Sequence, residues 1–328
     1  MGETVSHLLE VINIQQHFPA RKSLFSRPLW VRAVDGVSFH IDQGETLGLV
    51  GESGSGKTTL GYMVLLLLQL TKGRILFQGK DILAAPKNEQ VAFRRNIQIV
   101  FQDPYSSLNP RKTVEQVLVR PFRIHGVINS RSEARQRVSD LLNDVGLTPP
   151  ELFLDRYPHE MSGGQRQRVA IARAIALKPK LIIADEAVSS LDVSIRAQIL
   201  NLMKELQKKY HLAYLFITHD LATLRSVGHR VAVMYLGKLV EIGTTEEVFA
   251  NALHPYTKAL LASVPVPDPV YSRQREPIVL SGDIPSIISP PSGCRFHTRC
   301  PTVKEMCTLE EPVMVDHGNG HFVACALY

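Results

Sequence analysis

Short apolar runs alternate with longer amphipathic segments along much of the chain. The runs at 181–184 and 212–217 are continuously apolar, as are strands buried on both faces of a parallel sheet. Apolar residues recur with helical spacing at 165–177, 194–210 and 221–227. This alternation of strands and helices predicts the α/β fold class.

The N-terminal part of the chain predicts further strands, at 8–14, 37–41, 46–50, 73–77 and 97–101. The basic, proline-bearing segment 18–30 predicts a loop, and the apolar stretch 57–70 predicts a helix. From about 103 to 177 the pattern becomes helical and rich in polar residues, most clearly at 114–120 and 132–145.

Composition and charge narrow the class of protein. The 328 residues are 45% hydrophobic and 21% charged, which is typical of one large globular domain with an appendage, or of two domains. The net charge of +6 comes from scattered residues, so a solvated basic surface is expected and nucleic acid is not an expected partner. No apolar run approaches the ~20 residues of a membrane span. Because no signal pattern begins the sequence, we expect a cytosolic chain.

The composition changes after about residue 251, where prolines crowd the chain. We predict a C-terminal extension here rather than a continuation of the sheet. All four cysteines lie in it: Cys294, Cys300, Cys307 and Cys325. Disulfides are disfavoured in the cytosol, which leaves metal ligation or free thiols. The spacing differs from the paired C-x2-C of zinc ribbons, and four thiolates are a ligand set for a 4Fe-4S cluster.

A phosphate-binding loop follows the strand predicted at 46–50. The sequence matches G-x-x-x-x-G-K-[ST] at every fixed position, and the flanking strand and helix disfavour a plain glycine-rich surface loop. Backbone N–H groups of such a loop surround an anion at a helix N-terminus. We predict that Lys57 reaches the β- and γ-phosphates and that Thr58 ligates Mg²⁺. The predicted nucleotide-binding residues here are Gly51, Glu52, Ser53, Gly54, Ser55, Gly56, Lys57, Thr58 and Thr59.

Two carboxylates end the strand predicted at 181–184. Asp185 suits a Mg²⁺ ligand and Glu186 a catalytic base for an attacking water. Two exposed acids in a turn are the alternative, which the buried-looking strand and the phosphate loop disfavour.

The segment from Met161 to Gln165 opens the helix predicted at 165–177. Ser162 and Gln165 have the spacing of a capping box. A helix N-terminus behind two glycines also suits an anion, although one phosphate loop has no obvious use for a second anion site in the same chain.

Four motifs follow one another in the order found in ATPase subunits of ABC transporters. They are the phosphate loop, Met161-Ser-Gly-Gly-Gln165, Asp185-Glu186 and His219. The resemblance covers roughly residues 8–250. It implies a P-loop NTPase fold with a RecA-like core, an antiparallel β-subdomain and a helical subdomain at about 103–177. The implied domains are an ABC ATPase domain at 1–250 and a small Cys-rich C-terminal extension at 251–328.

The same resemblance implies roles for individual residues. Gln102 corresponds to the family's Mg²⁺ ligand that senses the membrane subunit, and His219 to the histidine that contacts the γ-phosphate. Phe18 is our choice for the aromatic residue that stacks on adenine, with Trp30 as the rival. The surface implied to close over a partner's nucleotide comprises Ser162, Gly163, Gly164, Gln165 and Asp192.

The segments 101–111 and 254–261 resemble ATPase subunits of dipeptide and oligopeptide importers. The resemblance implies ATP and Mg²⁺ as cofactors, and a 4Fe-4S cluster on the four cysteines, with zinc as the alternative. It also implies a second, paralogous ATPase subunit, two transmembrane permease subunits and an extracytoplasmic solute-binding protein. The expected location is peripheral, on the cytoplasmic face of the membrane.

Three alternative functions remain open. Nickel or another solute is an alternative cargo, since importers of these solutes share the same features. A non-transport ABC ATPase is disfavoured because no long coiled coil or second cassette is present. A nucleotide-binding module without catalysis is disfavoured by Glu186 and His219.

Overall fold

A computed structural model describes residues 7–20, 29–264, 280 and 282–328. The strands are β1 (Leu9–Ala20), β2 (Leu29–Ile41), β3 (Thr46–Val50), β4 (Lys72–Phe77), β5 (Lys80–Asp81), β6 (Ile97–Val100), β7 (Leu181–Asp185), β8 (Ala213–Thr218), β9 (Arg230–Tyr235), β10 (Lys238–Thr244), β11 (Val315–Asp316) and β12 (Phe322–Val323).

The helices are α1 (Lys57–Val64), α2 (Lys87–Asn96), α3 (Pro104–Ser107), α4 (Val114–Ile124), α5 (Arg131–Asp144), α6 (Glu151–Leu154), α7 (Gly163–Ile175), α8 (Val193–Tyr210), α9 (Leu221–Val227), α10 (Thr245–Ala250), α11 (Pro255–Ala262) and α12 (Met306–Leu309). None of these helices combines the length and the apolar character needed to cross a bilayer, within the part of the chain described. The chain divides into a first compact unit (1–41, 46–81 and 217–328) and a second (42–45 and 82–216).

An antiparallel sheet of order β2-β1-β4-β5 forms one part of the first unit. The ladder between β1 and β2 runs from Leu9 opposite Ile41 to Ala20 opposite Leu29. The loop predicted at 18–30 is therefore wrong at both ends, because Phe18 and Trp30 belong to this ladder. Pro19, opposite Trp30, obscured the strand pattern in the sequence, since proline is rare inside strands. Residues 21–28 of that predicted loop lie outside the described residues.

The first unit also contains the strands β11-β12-β10-β9-β3, with β3 parallel to β9. All five residues of β3 are buried. Glu241 of β10 pairs with Val323 of β12, and Ile242 with Phe322. The C-terminal segment thus continues this sheet, contrary to the prediction. Two-residue strands are too short to show an alternating pattern.

Helix α1 ends at Val64, six residues before the predicted end at Leu70. The chain leaves the helix at Leu66, whose φ is +56°, a left-handed conformation that ends helices. Leu67 is 57% exposed. The continuous run of leucines therefore suggested a longer buried helix than the fold contains.

The second unit combines the strands β7 and β6, and β8 up to residue 216, with helices α2 to α8. Strands β6 and β7 are parallel, and every residue of β7 is buried. Thr113 forms a capping box with Gln116 at the start of α4, and Ser130 caps α5. Such caps satisfy the orphan N–H groups of a first turn. The helices predicted at 132–145, 165–177 and 194–210 are confirmed to within two residues.

Candidate functional site

The phosphate loop lies in the first unit, between buried β3 and helix α1. At Gly56 the φ is +106°, and a Cβ atom would lie 2.1 Å from the carbonyl oxygen of Ala33. A Cβ atom on Gly51 would lie 2.1 Å from the carbonyl oxygen of Met234. Only glycine fits these two positions, so neighbouring strands fix the path of the loop.

Lys57 is buried beneath the loop that precedes it. Its Nζ atom donates hydrogen bonds to the carbonyl oxygens of Gly51, at 2.7 Å, and Glu52, at 2.9 Å. A third contact of 3.5 Å joins Nζ to the Ser55 hydroxyl. The ammonium group is thus directed at the loop, where it supplies a positive charge beside the inward-facing backbone N–H groups. Thr58 is exposed and Thr59 is half-buried.

Glu52 of the loop makes contacts that the sequence did not indicate. The Arg299 guanidinium donates two hydrogen bonds to the Glu52 carboxylate, of 2.8 and 3.1 Å. The backbone N–H of Glu52 donates to the Tyr256 hydroxyl at 2.8 Å. The segment 254–261 indicated the importer type, but no local pattern connected Tyr256 or Arg299 to a loop more than 200 residues away.

Asp185 and Glu186 lie at the end of β7 in the second unit. Asp185 is 5% exposed, and Glu186 has a φ of +47°, which turns the chain sharply after the strand. The Gln102 side-chain N–H donates to Glu186 Oε2 at 3.0 Å. The structure therefore brings together two predicted site residues that are 84 positions apart in sequence.

Helix α7 begins with the predicted capping box. Gln165 N–H donates to Ser162 Oγ at 3.3 Å, and Ser162 N–H donates to Gln165 Oε1 at 3.0 Å. Met161, which precedes the capping box, is 4% exposed. Asp192 is exposed and lies at the N-terminus of α8.

The two glycines of α7 differ in their surroundings. A Cβ atom on Gly164 would lie 2.8 Å from Ile195 Cγ2, whereas one on Gly163 would meet nothing nearer than Leu191 Cδ2 at 3.9 Å. Neither glycine has a positive φ. Packing within the described residues therefore favours glycine at position 164 but leaves room for a larger side chain at position 163.

The remaining predicted nucleotide residues lie in the first unit. His219 is exposed and directly follows β8, and the next residue, Asp220, caps α9 by accepting the Ala222 N–H at 2.9 Å. Phe18 is half-buried on β1. Trp30, on the adjacent strand, is 47% exposed.

The four cysteines are unpaired and lie in the first unit. Burial raises the pKa of the Cys294 thiol to about 11; a hydrogen bond from the Phe296 N–H opposes the shift, and the charges of the other three thiols add to it. Burial also raises the pKa of Cys325, against a hydrogen bond from the Leu327 N–H. No three of the four sulfur atoms, all within the described residues, lie within 4.8 Å of one another.

The chain is similar to curated proteins over nearly its whole length. The family model described as "ABC transporter" matches residues 34–189. The oligopeptide transport ATP-binding protein AppF of Bacillus subtilis (strain 168) is 52% identical over 98% of this chain and 97% of its own. The chain belongs to the ABC transporter family. A second model, "Oligopeptide/dipeptide transporter, C-terminal region", matches residues 240–307 of this ABC ATPase.

Two further similarities support the same family and its fold. The dipeptide transport ATP-binding protein DppF of Haemophilus influenzae is 46% identical over 97% of this chain and 96% of its own. A dimeric ATP-binding cassette in a post-hydrolysis state, bound to ADP and Pi, aligns with a TM-score of 0.64 and 28% identity over 72% of this chain and 98% of its own. The predicted ABC ATPase fold and ATPase class are confirmed.

Proposed function

We propose that this ABC ATPase hydrolyses ATP to power the import of dipeptides or oligopeptides across the cytoplasmic membrane. The observation that carries the choice of cargo is the match of residues 240–307 to the C-terminal region of oligopeptide and dipeptide transporters. The names of the relatives from Bacillus subtilis and Haemophilus influenzae support the same cargo.

The chemistry follows from the resemblance and from the residues within each unit. Glu186 polarises the attacking water, and the hydrogen bond from Gln102 orients its carboxylate. Lys57 and His219 stabilise the charge that develops on the γ-phosphate. By the resemblance, Thr58, Gln102 and Asp185 would hold Mg²⁺ through the hard oxygen ligands that it prefers, and the ion would neutralise phosphate charge. Phe18, or its alternative Trp30, stacks on the adenine.

We propose that a second ATPase subunit, a paralogue of this chain, completes the nucleotide-binding site. Gly163 carries this proposal because the fold itself does not require glycine there: φ is not positive, and 3.9 Å separate a built Cβ atom from its nearest neighbour. A bare backbone at a helix N-terminus lets an anion from another molecule approach closely. The residues that face the partner's ATP are Ser162, Gly163, Gly164, Gln165 and Asp192.

A cavity of about 980 Å³ in the second unit supports docking to a permease subunit. It is lined by apolar and basic side chains, including Phe101, Val119, Arg123 and Ile124. Phe101 directly precedes Gln102, so a segment in this cavity has a short route to the Glu186 contact. We place the ATPase peripherally on the cytoplasmic face, with two permease subunits and an extracytoplasmic solute-binding protein. The proposed domains remain 1–250, with a helical subdomain at about 103–177, and 251–328.

The four cysteines fit a 4Fe-4S cluster better than a single zinc ion. Zn–S bonds of ~2.3 Å in a tetrahedral site place every pair of sulfurs about 3.8 Å apart, whereas no three of the four sulfurs here lie within 4.8 Å of one another. The N–H groups of Phe296 and Leu327 donate to cysteine sulfurs, as occurs around iron–sulfur clusters. Cys294, Cys300, Cys307 and Cys325 would hold the cluster. Iron and sulfide analysis of anaerobically purified protein tests it, and stoichiometric zinc without iron would favour the alternative.

Glu186→Gln tests the proposed hydrolysis. The variant keeps the shape of the side chain but loses the carboxylate, so we expect normal ATP binding and turnover reduced by roughly 10²–10⁴-fold. Phosphate release and binding of a fluorescent ATP analogue measure the two quantities. Near-normal hydrolysis in this variant would remove Glu186 from its role.

A further inference from the structure

Glu52, the second residue of the phosphate loop, is fixed at three points within the first unit. Its carboxylate accepts both hydrogen bonds from Arg299, its N–H donates to Tyr256, and its carbonyl oxygen accepts from Lys57 Nζ. Movement of the Glu52 side chain would therefore displace the atoms that hold the Lys57 ammonium. The backbone of Glu52 therefore links the position of the Glu52 carboxylate to that of the Lys57 ammonium group.

The residue that binds the Glu52 side chain comes from the cysteine segment, defined here as Cys294–Cys300. Phe296 of this segment is 1% exposed. Its ring lies 5.2 Å from that of Tyr235 and 5.4 Å from that of Tyr256, within the range of favourable aromatic pairs. This packing anchors the short turn that carries Arg299. The cysteine segment is therefore packed against Tyr256, whose hydroxyl contacts the phosphate loop.

Arg299 also neutralises the negative charge that Glu52 places in the phosphate loop. A loop whose N–H groups bind a triphosphate gains nothing from a carboxylate, because like charges repel. The bidentate contact with Arg299 pairs that charge, and the side chains of Arg299 and Glu52 are only 8% and 25% exposed, so water screens the pair weakly. The hydrogen bonds to Glu52 raise the pKa of Arg299, which stays charged.

We propose that Arg299 is a positioning residue for nucleotide binding, through which the cysteine segment controls the affinity of the phosphate loop for ATP. Arg299 neutralises Glu52 and fixes the loop in the conformation that receives the triphosphate. Disturbing the cysteine segment would release Glu52 and weaken nucleotide binding. This inference rests on the proposed nucleotide site at the loop.

The test is a double-mutant cycle on the full-length protein, read out as the Kd of MgATP in a fluorescent-analogue competition assay. Arg299→Met leaves the Glu52 carboxylate unpaired beside the phosphates, so we expect affinity to fall at least about tenfold. Glu52→Gln removes that charge, and its own Kd is the reference for the double variant. Adding Arg299→Met to Glu52→Gln should change that Kd by less than about threefold, because nothing remains for Arg299 to neutralise.

A residue that only stabilises the fold would not give this suppression. An unchanged Kd in Arg299→Met would overturn the proposal. A loss of ATP affinity of the same size when Arg299→Met is added to Glu52→Gln would overturn it as well. If Arg299→Met does not fold, Arg299→Lys keeps the charge without the bidentate fork; it should bind ATP with an affinity between wild type and a tenfold loss. Wild-type affinity in the lysine variant would then refute the positioning role.

The matched control is His321→Gln. His321 is equally buried in the C-terminal part of the chain, and its Nε2 atom lies 2.7 Å from Glu241 Oε1 rather than beside the loop. We expect its Kd for ATP to match wild type; a comparable loss of affinity would assign the Arg299 effect to general damage. Failure of the wild-type protein to bind ATP would instead refute the nucleotide site itself, so the two failures are distinguishable.

Discussion

Gly163→Ala separates the stability of this subunit from its catalytic activity. The residue is in helix α7, its φ is not positive, and a new methyl group would have 3.9 Å to its nearest neighbour. Alanine restricts the unfolded chain more than glycine does, so the free energy of unfolding should rise by about 0.4–1 kcal/mol. The ATP bound by the partner subunit, however, is proposed to approach the bare backbone of Gly163 closely, and a methyl group there would keep it away. Displacing a bound phosphate by about 1 Å costs roughly 10²-fold in rate.

Urea unfolding of the isolated subunit measures the stability, and phosphate release by the assembled transporter measures the rate. Gly164→Ala is the matched control for packing, because its methyl group would lie 2.8 Å from Ile195 Cγ2 and should destabilise the fold. A Gly163→Ala protein that is more stable and fully active would refute the proposed contact with a partner's ATP. One that is destabilised by more than about 1 kcal/mol would contradict the packing described for α7.

Two further predictions concern the first unit. Phe296→Ala empties a site that is 1% exposed, so urea unfolding should show a loss of about 3–5 kcal/mol and Phe296→Leu a smaller one; equal stability of wild type and the alanine variant would contradict the packing. Burial lowers the pKa of His254 from 6.5 to about 3. Between pH 3 and pH 6.5 the His254 imidazole therefore binds a proton only in the unfolded chain, so the free energy of unfolding falls as pH falls. His254→Asn keeps a helix cap without the titration, and below about pH 6 its stability should depend on pH less steeply than wild type by about 1.4 kcal/mol per pH unit; identical slopes would exclude this cause.

Features with a local physical signal were predictable from the sequence. The phosphate loop needs glycine where the backbone passes close to Ala33 and Met234, and that requirement is written into its motif. The capping box of Ser162 and Gln165 is likewise a pattern four residues long. Helix α1 was predicted too long because hydrophobicity continues through Leu68, while the left-handed turn at Leu66 depends on surrounding packing.

Features that depend on distant parts of the chain were missed. Glu52 and Arg299 are 247 positions apart, and each alone resembles an ordinary surface charge. Strand β12 joins the sheet through only two residue pairs, too few for a periodic pattern. In both cases the contact becomes visible only after the C-terminal segment has returned to the first unit.

The most direct test of the proposed function is uptake of a labelled oligopeptide into proteoliposomes that contain the ATPase with its copurified permease subunits and solute-binding protein. We predict uptake that requires ATP and is lost in the Glu186→Gln complex, although that complex still binds nucleotide. ATP-dependent uptake of the peptide that persists in the Glu186→Gln complex, or no peptide uptake by an assembled wild-type complex that hydrolyses ATP, would contradict the account.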